Sequence, residues 1–493
     1  MTRVACGGAL AASALFLLVN LGSYPIVLWD ESRLAVNAIE MFLTGPGLVT
    51  TFNFAPDHWN TKPPLLIWLM TASMSLFGPS EWAIRLPSAL AALATIAVVM
   101  TFTWRLTRSA STVILSCVLL AASSGFHGPH AAATGDYDSL LTFFTTSYAC
   151  VLFFVLHRRA PRPSRVMCAG LLVAAAILTK GVAGVIPGTG VVLYLLLTRR
   201  LARPFLTGWY LAAGAAVLLT GAAFYGLREL AEPGYLQAVL RNELATRYFD
   251  TVGGHPRRPW YYVAIIVRST FSAGPLLVLV PVGLLLAKGR VRLGIMFASC
   301  IAAAIVLVFS SSETKLPWYV VPAYPFMAVA LALSASVVVR RTSDEVRRWV
   351  GRSPVPDPAG VLAILLAVVI TAAAAYRYEP LSDAVAPVRA NYGRVFEELK
   401  GRGIHAVSIV DGGDPNTEGF EDYRPRLRFY QLMWQTRSFT VREIADDVTM
   451  LRKQPGTIVV TCDRRRRETV RRKGKPIAAV AGCVSVELLS GAS

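Results

Sequence analysis

Charge is scarce in this 493-residue chain: 16% of residues are charged, 54% are hydrophobic and the mean hydropathy is +0.50. So little charge excludes an ordinary soluble protein and leaves a polytopic membrane protein. Acidic residues are the scarcer sign, 30 against 49 Lys and Arg, for a net charge of +19. Such an excess suits nucleic acid in other chains. Here it is divided among short Arg clusters between apolar runs and an Arg-rich tail, which fits membrane orientation better. Also missing are a Walker A loop, zinc-type Cys/His spacing and a dinucleotide fingerprint, so ATP-driven transport has no support within the chain. Of seven cysteines, Cys6, Cys117, Cys150, Cys168 and Cys300 lie in apolar segments, where small packing roles are usual. Cys462 and Cys483 lie elsewhere, and their number alone leaves a disulfide open.

What is abundant is apolar sequence in long runs. A helix needs about 20 apolar residues to cross a bilayer core, and that rule predicts spans near 4–29, 82–104, 112–126, 138–157, 166–180, 182–197, 205–227, 261–287, 293–310, 317–339 and 359–376. The third, fifth and sixth are short, which suits tilt, burial among other helices or a merged hairpin. The first has no clear small-residue cleavage site and runs into an acidic motif, so it is read as an uncleaved span rather than a signal peptide.

The basic clusters fall in alternate loops: Arg105 and Arg108; Arg158, Arg159, Arg162 and Arg165; Arg199, Arg200 and Arg203; Lys288, Arg290 and Arg292; then Arg340, Arg341, Arg347, Arg348 and Arg352. Positive-inside logic places these loops and the N-terminus in the cytoplasm. Loops near 30–81, 127–137, 228–260 and 311–316 then face outward, with everything after about residue 377. The division expected is a transmembrane domain over 1–376 and an extracytoplasmic α/β domain over 377–493. In the latter, "HAVSIV" and "GTIVVTC" are strand-like, while "NYGRVFEELKGRG" and "FTVREIADDVTMLRKQ" are helix-like. Its "DRRRRETVRRKGK" run reads first as a solvated surface, with an anionic-ligand site as the alternative.

Chemistry concentrates on the outward loops. Asp30 and Glu31 follow the first span and head a helix-like stretch over 31–43. Lys62, Pro63 and Pro64 head another over 63–77, where proline suits a first turn. Both stretches read as interfacial helices. Asp30 as an N-cap, with Glu31 favouring the helix dipole, competes with a catalytic reading, and the two do not exclude each other. Asp136 and Asp138 pose the same choice before the fourth span. Lys180 interrupts an apolar run and Lys315 stands at a span's outer end. Snorkelling is the alternative for each, since an ionisable group at mid-helix costs roughly 2.5–3.5 kcal/mol. "GGHPRRPWYY" adds His255, Arg257 and Arg258 before aromatics that interface anchoring explains by itself. Carboxylates with Lys and Arg at a membrane edge suit a substrate that is half lipid and half phosphate.

In order along the chain, "WDESRLAVNAIEMFLTG", "HWNTKPPLLIWLM", "FGPSEWAIRLPSALAAL", "ILTKGVAGVIPG", "HPRRPWYY" and "SETKLPWYVVPAYP" resemble the GT-C glycosyltransferases. The nearest branch resembles bacterial aminoarabinose (lipid A) transferases, which share a superfamily with protein O-mannosyltransferases. The resemblance covers about residues 5–335. Together with the spans above, the expected fold is an α-helical polytopic membrane protein, GT-C-like, of roughly 11 transmembrane helices with outward interfacial helices, plus the small C-terminal α/β domain. The resemblance further implies inverting transfer of a sugar from a polyprenyl-phosphate donor to a cell-envelope acceptor at the outer face of the cytoplasmic membrane. Carried over, Asp30 is the principal catalytic carboxylate and Asp136 the acid of the next outer loop. Lys62, Arg258 and Lys315 resemble donor-phosphate or site-lining positions, and Lys180, His255 and Tyr319 are weaker candidates. Glu31, Asp138 and Arg257 complete the candidate substrate-binding set.

An inverting transfer needs a base, or an orienting acceptor, for the incoming hydroxyl. A partly desolvated carboxylate can have its pKa raised toward that role. The leaving phosphate departs as an anion and needs fixed cations. These motifs point to no definite cofactor, and a divalent metal ion is compatible with the carboxylates. Thr61 stands where relatives often carry an acid, which argues against a metal site shared by that position and His255. Thr134 and Glu313 stand where relatives often have cations, so substrate contacts should differ. The rival readings are a transporter or flippase of lipid-linked sugars and a non-catalytic membrane scaffold.

Overall fold

The computed structural model describes residues 2–488 apart from positions 20, 28 and 159 and segments 201–207, 246–256, 351–390, 413–423 and 452–455. The expected span at 359–376 and His255 lie outside the described residues.

Apolar runs become helices where nothing interrupts them. In chain order these are α1 (Thr2–Leu18), α2 (Asp30–Thr44), α3 (Leu65–Phe77), α4 (Glu81–Thr107), α5 (Ala110–Ala121), α6 (Ser124–His127), α7 (Tyr137–Leu156), α8 (Pro163–Lys180), α9 (Ile186–Leu197), α10 (Gly208–Ala231) and α11 (Tyr235–Val239). After them come Tyr261–Ile265, Leu279–Leu286, Gly289–Ser310 and Tyr324–Val350. Among the described residues six helices are long and apolar enough to cross a membrane, and five apolar helices are shorter.

Three expected spans need correction. The first helix ends at Leu18 rather than near residue 29, because Gly22, Ser23 and Pro25 follow in a turn and irregular chain. The fifth is not short: it starts at Pro163 and continues through a 3-10 turn, so the apolar stretch Pro163–Gly184 is long enough to span. The eighth, expected as one helix over 261–287, is broken. Ser269 and Thr270 hydroxyls bond back to the Ile265 carbonyl at 3.0 and 3.1 Å, Phe271 is extended, and Pro275 has no N–H to carry a helix onward.

By contacts the chain forms two compact units, one of Met1–Val19, Pro56–Leu69 and Arg85–Glu379, the other of Asn20–Ala55, Met70–Ile84 and Pro380–Ser493. The first has a continuous core. In it α7 packs on α8, α8 on α10, and α9 on the helix Gly289–Ser310. Without an aqueous drive between spans, close approach needs small residues. Gly190 of α9 supplies it: a Cβ there would lie 2.4 Å from the Ile301 Cα.

The second unit is built on a five-stranded sheet in the order β4-β3-β5-β7-β6. The strands are β3 (Ala406–Val410), β4 (Thr440–Ala445), β5 (Ile458–Thr461), β6 (Gly474–Val480) and β7 (Cys483–Leu488); β1 (Thr51–Phe52) and β2 (Ala55–Pro56) form a separate small pair. Strands β4, β3 and β5 run parallel, and β7 is antiparallel to β5 and β6. The start of "FTVREIADDVTMLRKQ", expected as a helix, is β4. Thr440, Val441 and Ile444 are β-branched, and pairing with β3 outweighs the local helical pattern. Cys462 and Cys483 are disulfide-bonded. Most of the "DRRRRETVRRKGK" side chains are exposed or half-buried, as a solvated surface would be.

Ten of the fifteen residues of α2 are buried, and it packs against the helix Pro425–Gln435. It is therefore a core helix of its unit, more enclosed than a helix merely resting on a surface. Glu40 of α2 is fully buried. It accepts from Thr51 Oγ1 at 2.8 Å and Phe54 N at 2.9 Å and lies 3.8 Å from Arg428 Nε. Tyr430 accepts from Ile26 N at 3.1 Å and donates to Glu81 at 2.9 Å. These bonds hold both ends of the first loop against the C-terminal helix.

Candidate functional site

Within the first unit a cavity of about 320 Å³ gathers several sequence-selected residues. One wall starts in the loop before α3. Asp57 Oδ1 accepts from Trp59 N at 2.9 Å and Asn60 N at 3.1 Å, a local turn that Asp favours. The next residues are Thr61 and Lys62, and Pro63 and Pro64 launch α3 without spending an N–H. Lys62 is buried, with Nζ 5.6 Å from the Tyr137 ring centroid and 3.3 Å from Glu243 Oε1.

A second wall is the start of α7. Asp136 occupies the N-cap position, but its side chain makes no capping bond. It accepts from Thr134 Oγ1 at 2.6 Å and lies 3.7 Å from His130 Nδ1. Ser88 of the Arg-Leu-Pro-Ser motif donates to its backbone carbonyl at 2.9 Å, and Arg85 of that motif is fully buried. Asp138 sits in the first turn of α7, where the dipole favours an acid. Its Oδ1 lies 2.6 Å from Lys180 Nζ.

Lys180 reaches this place because "KGVAGVIP" ends α8 and starts α9. Gly181 has φ +55, a conformation that favours glycine, and the 3-10 turn Gly181–Gly184 separates α8 from α9. Lys180 thereby ends α8 at the cavity, 5.8 Å from the ring of buried Tyr319. Beyond the charged groups the lining turns apolar, with Leu141, Val182, Ile186, Val308 and Phe309. The cavity is amphipathic, with two lysines and two carboxylates on one part and hydrocarbon on the rest.

The third contributor is the segment 232–245, α11 and its continuation through the π turn Leu240–Ala245. Tyr235 donates to the Thr61 carbonyl at 2.7 Å, Asn242 Nδ2 to the His58 carbonyl at 2.9 Å, and Thr61 Oγ1 to Glu243 Oε1 at 3.1 Å. Burial pushes the Tyr235 phenol above its usual pKa, so it remains a donor. Glu243 was not among the expected site residues. It lies in "LRNELATRYFD", which carries no motif, and only tertiary contact reveals it. It also answers the departure at Thr61: the carboxylate beside the lysine comes from a different part of the chain.

His130 was missed too. It has φ +60, its ring stacks on Trp318 at 3.6 Å, and it faces Asp136. A positive φ at a non-glycine residue was the one local trait to look for, and it is not visible in sequence. His130 and Asp136 carry donor atoms of metal-ligand type, but this pair within the unit is not a complete coordination set.

Other expected residues do not enter the cavity. Lys315 is buried and donates to the Ser312 carbonyl. Arg257 and Arg258 are exposed and lie over the Tyr261 and Trp260 rings. Asp30 and Glu31 belong to the second unit. Asp30 is not the N-cap: Trp29 holds that position at φ 73, and Asp30 is the first helical residue, half-buried. Glu31 is buried and its Oε2 accepts from Val27 N at 2.7 Å, which fixes the turn into α2.

Comparisons with known proteins agree with this architecture. Residues 61–224, about a third of the chain, match the family described as dolichyl-phosphate-mannose-protein mannosyltransferase. The chain is 26% identical over 329 residues to the undecaprenyl phosphate-alpha-4-amino-4-deoxy-L-arabinose arabinosyl transferase of Erwinia tasmaniensis, covering 65% of this chain and 57% of that one. It is 26% identical over 379 residues to the Pseudomonas aeruginosa transferase of the same description, covering 76% and 66%. It spans about 60% of the length of the curated relatives it matches. In fold it is similar to ArnT from Cupriavidus metallidurans bound to undecaprenyl phosphate, with a TM-score of 0.68, 18% identity and 98% of each chain covered. In sequence the chain is thus similar to the aminoarabinose transferases, and in fold it is similar to the Cupriavidus metallidurans structure.

Proposed function

We propose that this protein is a membrane glycosyltransferase that moves a sugar from a polyprenyl-phosphate carrier to a cell-envelope acceptor, with inversion at the anomeric carbon. The observation that carries the reading is the amphipathic cavity, with Lys62 and Lys180 on its charged part and Val182, Ile186, Val308 and Phe309 on its apolar part. A phosphate needs the first and an isoprenoid chain the second. The relatives' descriptions, which name undecaprenyl phosphate, support the same donor class.

In this reading Asp30 is the carboxylate that receives or orients the acceptor hydroxyl, with Asp136 as the second acid. Lys62 stabilises the departing phosphate, while Lys180, Asp138 and Tyr319 line the donor's path. Arg257, Arg258, Lys315 and His255 are secondary positions for the anionic headgroup, and Glu31 orders the chain before Asp30. Roughly 11 spans and alternate basic loops put the active face and an α/β domain from residue 377 outside the cytoplasmic membrane.

The test compares Asp30→Asn with the wild-type chain in cells lacking the gene, by mass spectrometry of envelope glycans and lipid-linked sugars. The enzyme reading expects loss of the modified envelope component and accumulation of the donor lipid. Full modification by Asp30→Asn sinks the Asp30 assignment. Unmodified lipid-linked sugar held on the wrong side of the membrane would instead favour a flippase.

A further inference from the structure

Each cavity lysine has a carboxylate of this chain beside it, so among the described lining residues Lys62 and Lys180 are matched in charge by Glu243 and Asp138. The two pairs are not alike. Asp138 and Lys180 are 2.6 Å apart, their side chains 5% and 11% exposed, with Asp138 in the first turn of α7 and Lys180 at the end of α8. Glu243 and Lys62 are 3.3 Å apart, and Glu243 is 23% exposed on a π turn. A π turn is rare and frequently marks a functional site. Of the two carboxylates, Glu243 is the one built to give way.

We propose that Glu243 is an internal counter-ion that the polyprenyl phosphate displaces from Lys62, and that it sets how tightly this chain holds that lipid. The inference rests on the donor reading above. While the site is without lipid, the carboxylate keeps a buried ammonium paired, which removes the cost of a lone buried charge. When the phosphate arrives it takes the same ammonium, and Glu243 turns toward solvent. After transfer the leaving group is a phosphate monoester, which carries more negative charge than the donor diester and binds a lysine more tightly. A carboxylate tethered beside Lys62 competes with that product at high local concentration. Glu243 therefore weakens product binding and favours release. Thr61, hydrogen-bonded to the same carboxylate oxygen, steers it back.

The test is direct binding of undecaprenyl phosphate to the purified full chain in detergent. Glu243→Gln keeps the shape and a hydrogen-bonding group for Thr61 while removing the charge, and affinity should rise about tenfold. Glu232→Gln removes the carboxylate that lies 3.4 Å from His58 on the same segment, away from Lys62, and should leave affinity unchanged. Lys62→Met should lose most binding. Equal affinity of Glu243→Gln and wild type overturns the proposal. An equal gain in Glu232→Gln also overturns it, because a loosened segment rather than the counter-ion would then be responsible. If wild type binds and Lys62→Met binds as well, the phosphate does not take Lys62 and this proposal is overturned, while the donor class survives. If neither wild type nor Glu243→Gln binds the lipid, the donor reading falls and this proposal with it.

Discussion

Replacing Asp138 by Asn takes away the carboxylate that stands 2.6 Å from Lys180 Nζ in a pair whose side chains are only 5% and 11% exposed. With so little water to replace it, the lost partner costs far more than at a surface, where such pairs are worth about 0–1 kcal/mol. Breaking one side of a buried pair costs about 3–5 kcal/mol, chiefly because the other charge stays behind. Lys180 borders a cavity rather than solid core, which puts the expected loss for Asp138→Asn near the lower bound, about 3 kcal/mol. Lys180→Met should cost a similar amount. The double variant removes both charges and should lie within about 1 kcal/mol of wild type, since buried pairs are often replaceable by neutral groups. The assay is a double-mutant cycle on unfolding free energies, from titrating the protein in mild detergent with a denaturing one. A loss below about 1 kcal/mol for Asp138→Asn, or effects that add within about 0.5 kcal/mol, would refute the reasoning and mean that the ammonium is stabilised by other groups.

Three further outcomes are expected. Replacing Cys462 and Cys483 by Ser opens a link across 21 residues, which should destabilise the second unit by about 3 kcal/mol on loop entropy, read by thermal melting with and without reductant. Glu40→Ala leaves Arg428 without this carboxylate and strips the acceptor from Thr51 and Phe54 N; a loss of about 3 kcal/mol should show as faster proteolysis in the loop 45–55. His127 is buried and burial holds its pKa down at about 4, below the usual 6.5. The unfolded chain therefore takes up a proton first as pH falls, and stability present above pH 6.5 declines toward pH 4 by up to about 3 kcal/mol. Melting temperatures across that window should fall less steeply in His127→Gln, and parallel slopes would show that His127 is not the group responsible.

Much of the chemistry could be read from local pattern because local pattern produces it. Asp138 lies at a helix start because an acid is stable there, and Lys180 ends α8 because Gly181 and the turn after it end the helix. Both signals are written within a few residues. Glu243 could not be read so: nothing in "LRNELATRYFD" distinguishes that acid from any on a polar turn, and its partner is 181 residues earlier in the chain. The strand β4 failed for a related reason. Its local periodicity favours a helix, whereas its hydrogen bonds come from β3, some 34 residues upstream in register.

By itself the sequence determined that this is a membrane protein of helices, where most of those helices run, and which outer loops carry carboxylates and lysines. Hydrophobic transfer and helix termination depend on neighbours in the chain, and a linear reading captures them. Only the tertiary structure decided that Lys62 meets Glu243, that Asp138 takes Lys180, that Cys462 joins Cys483, and that α2 is enclosed by the C-terminal helix Pro425–Gln435. Ion pairs, disulfides and packing act through distance in space and fall off within a few ångströms, so the order of residues along the chain does not specify them.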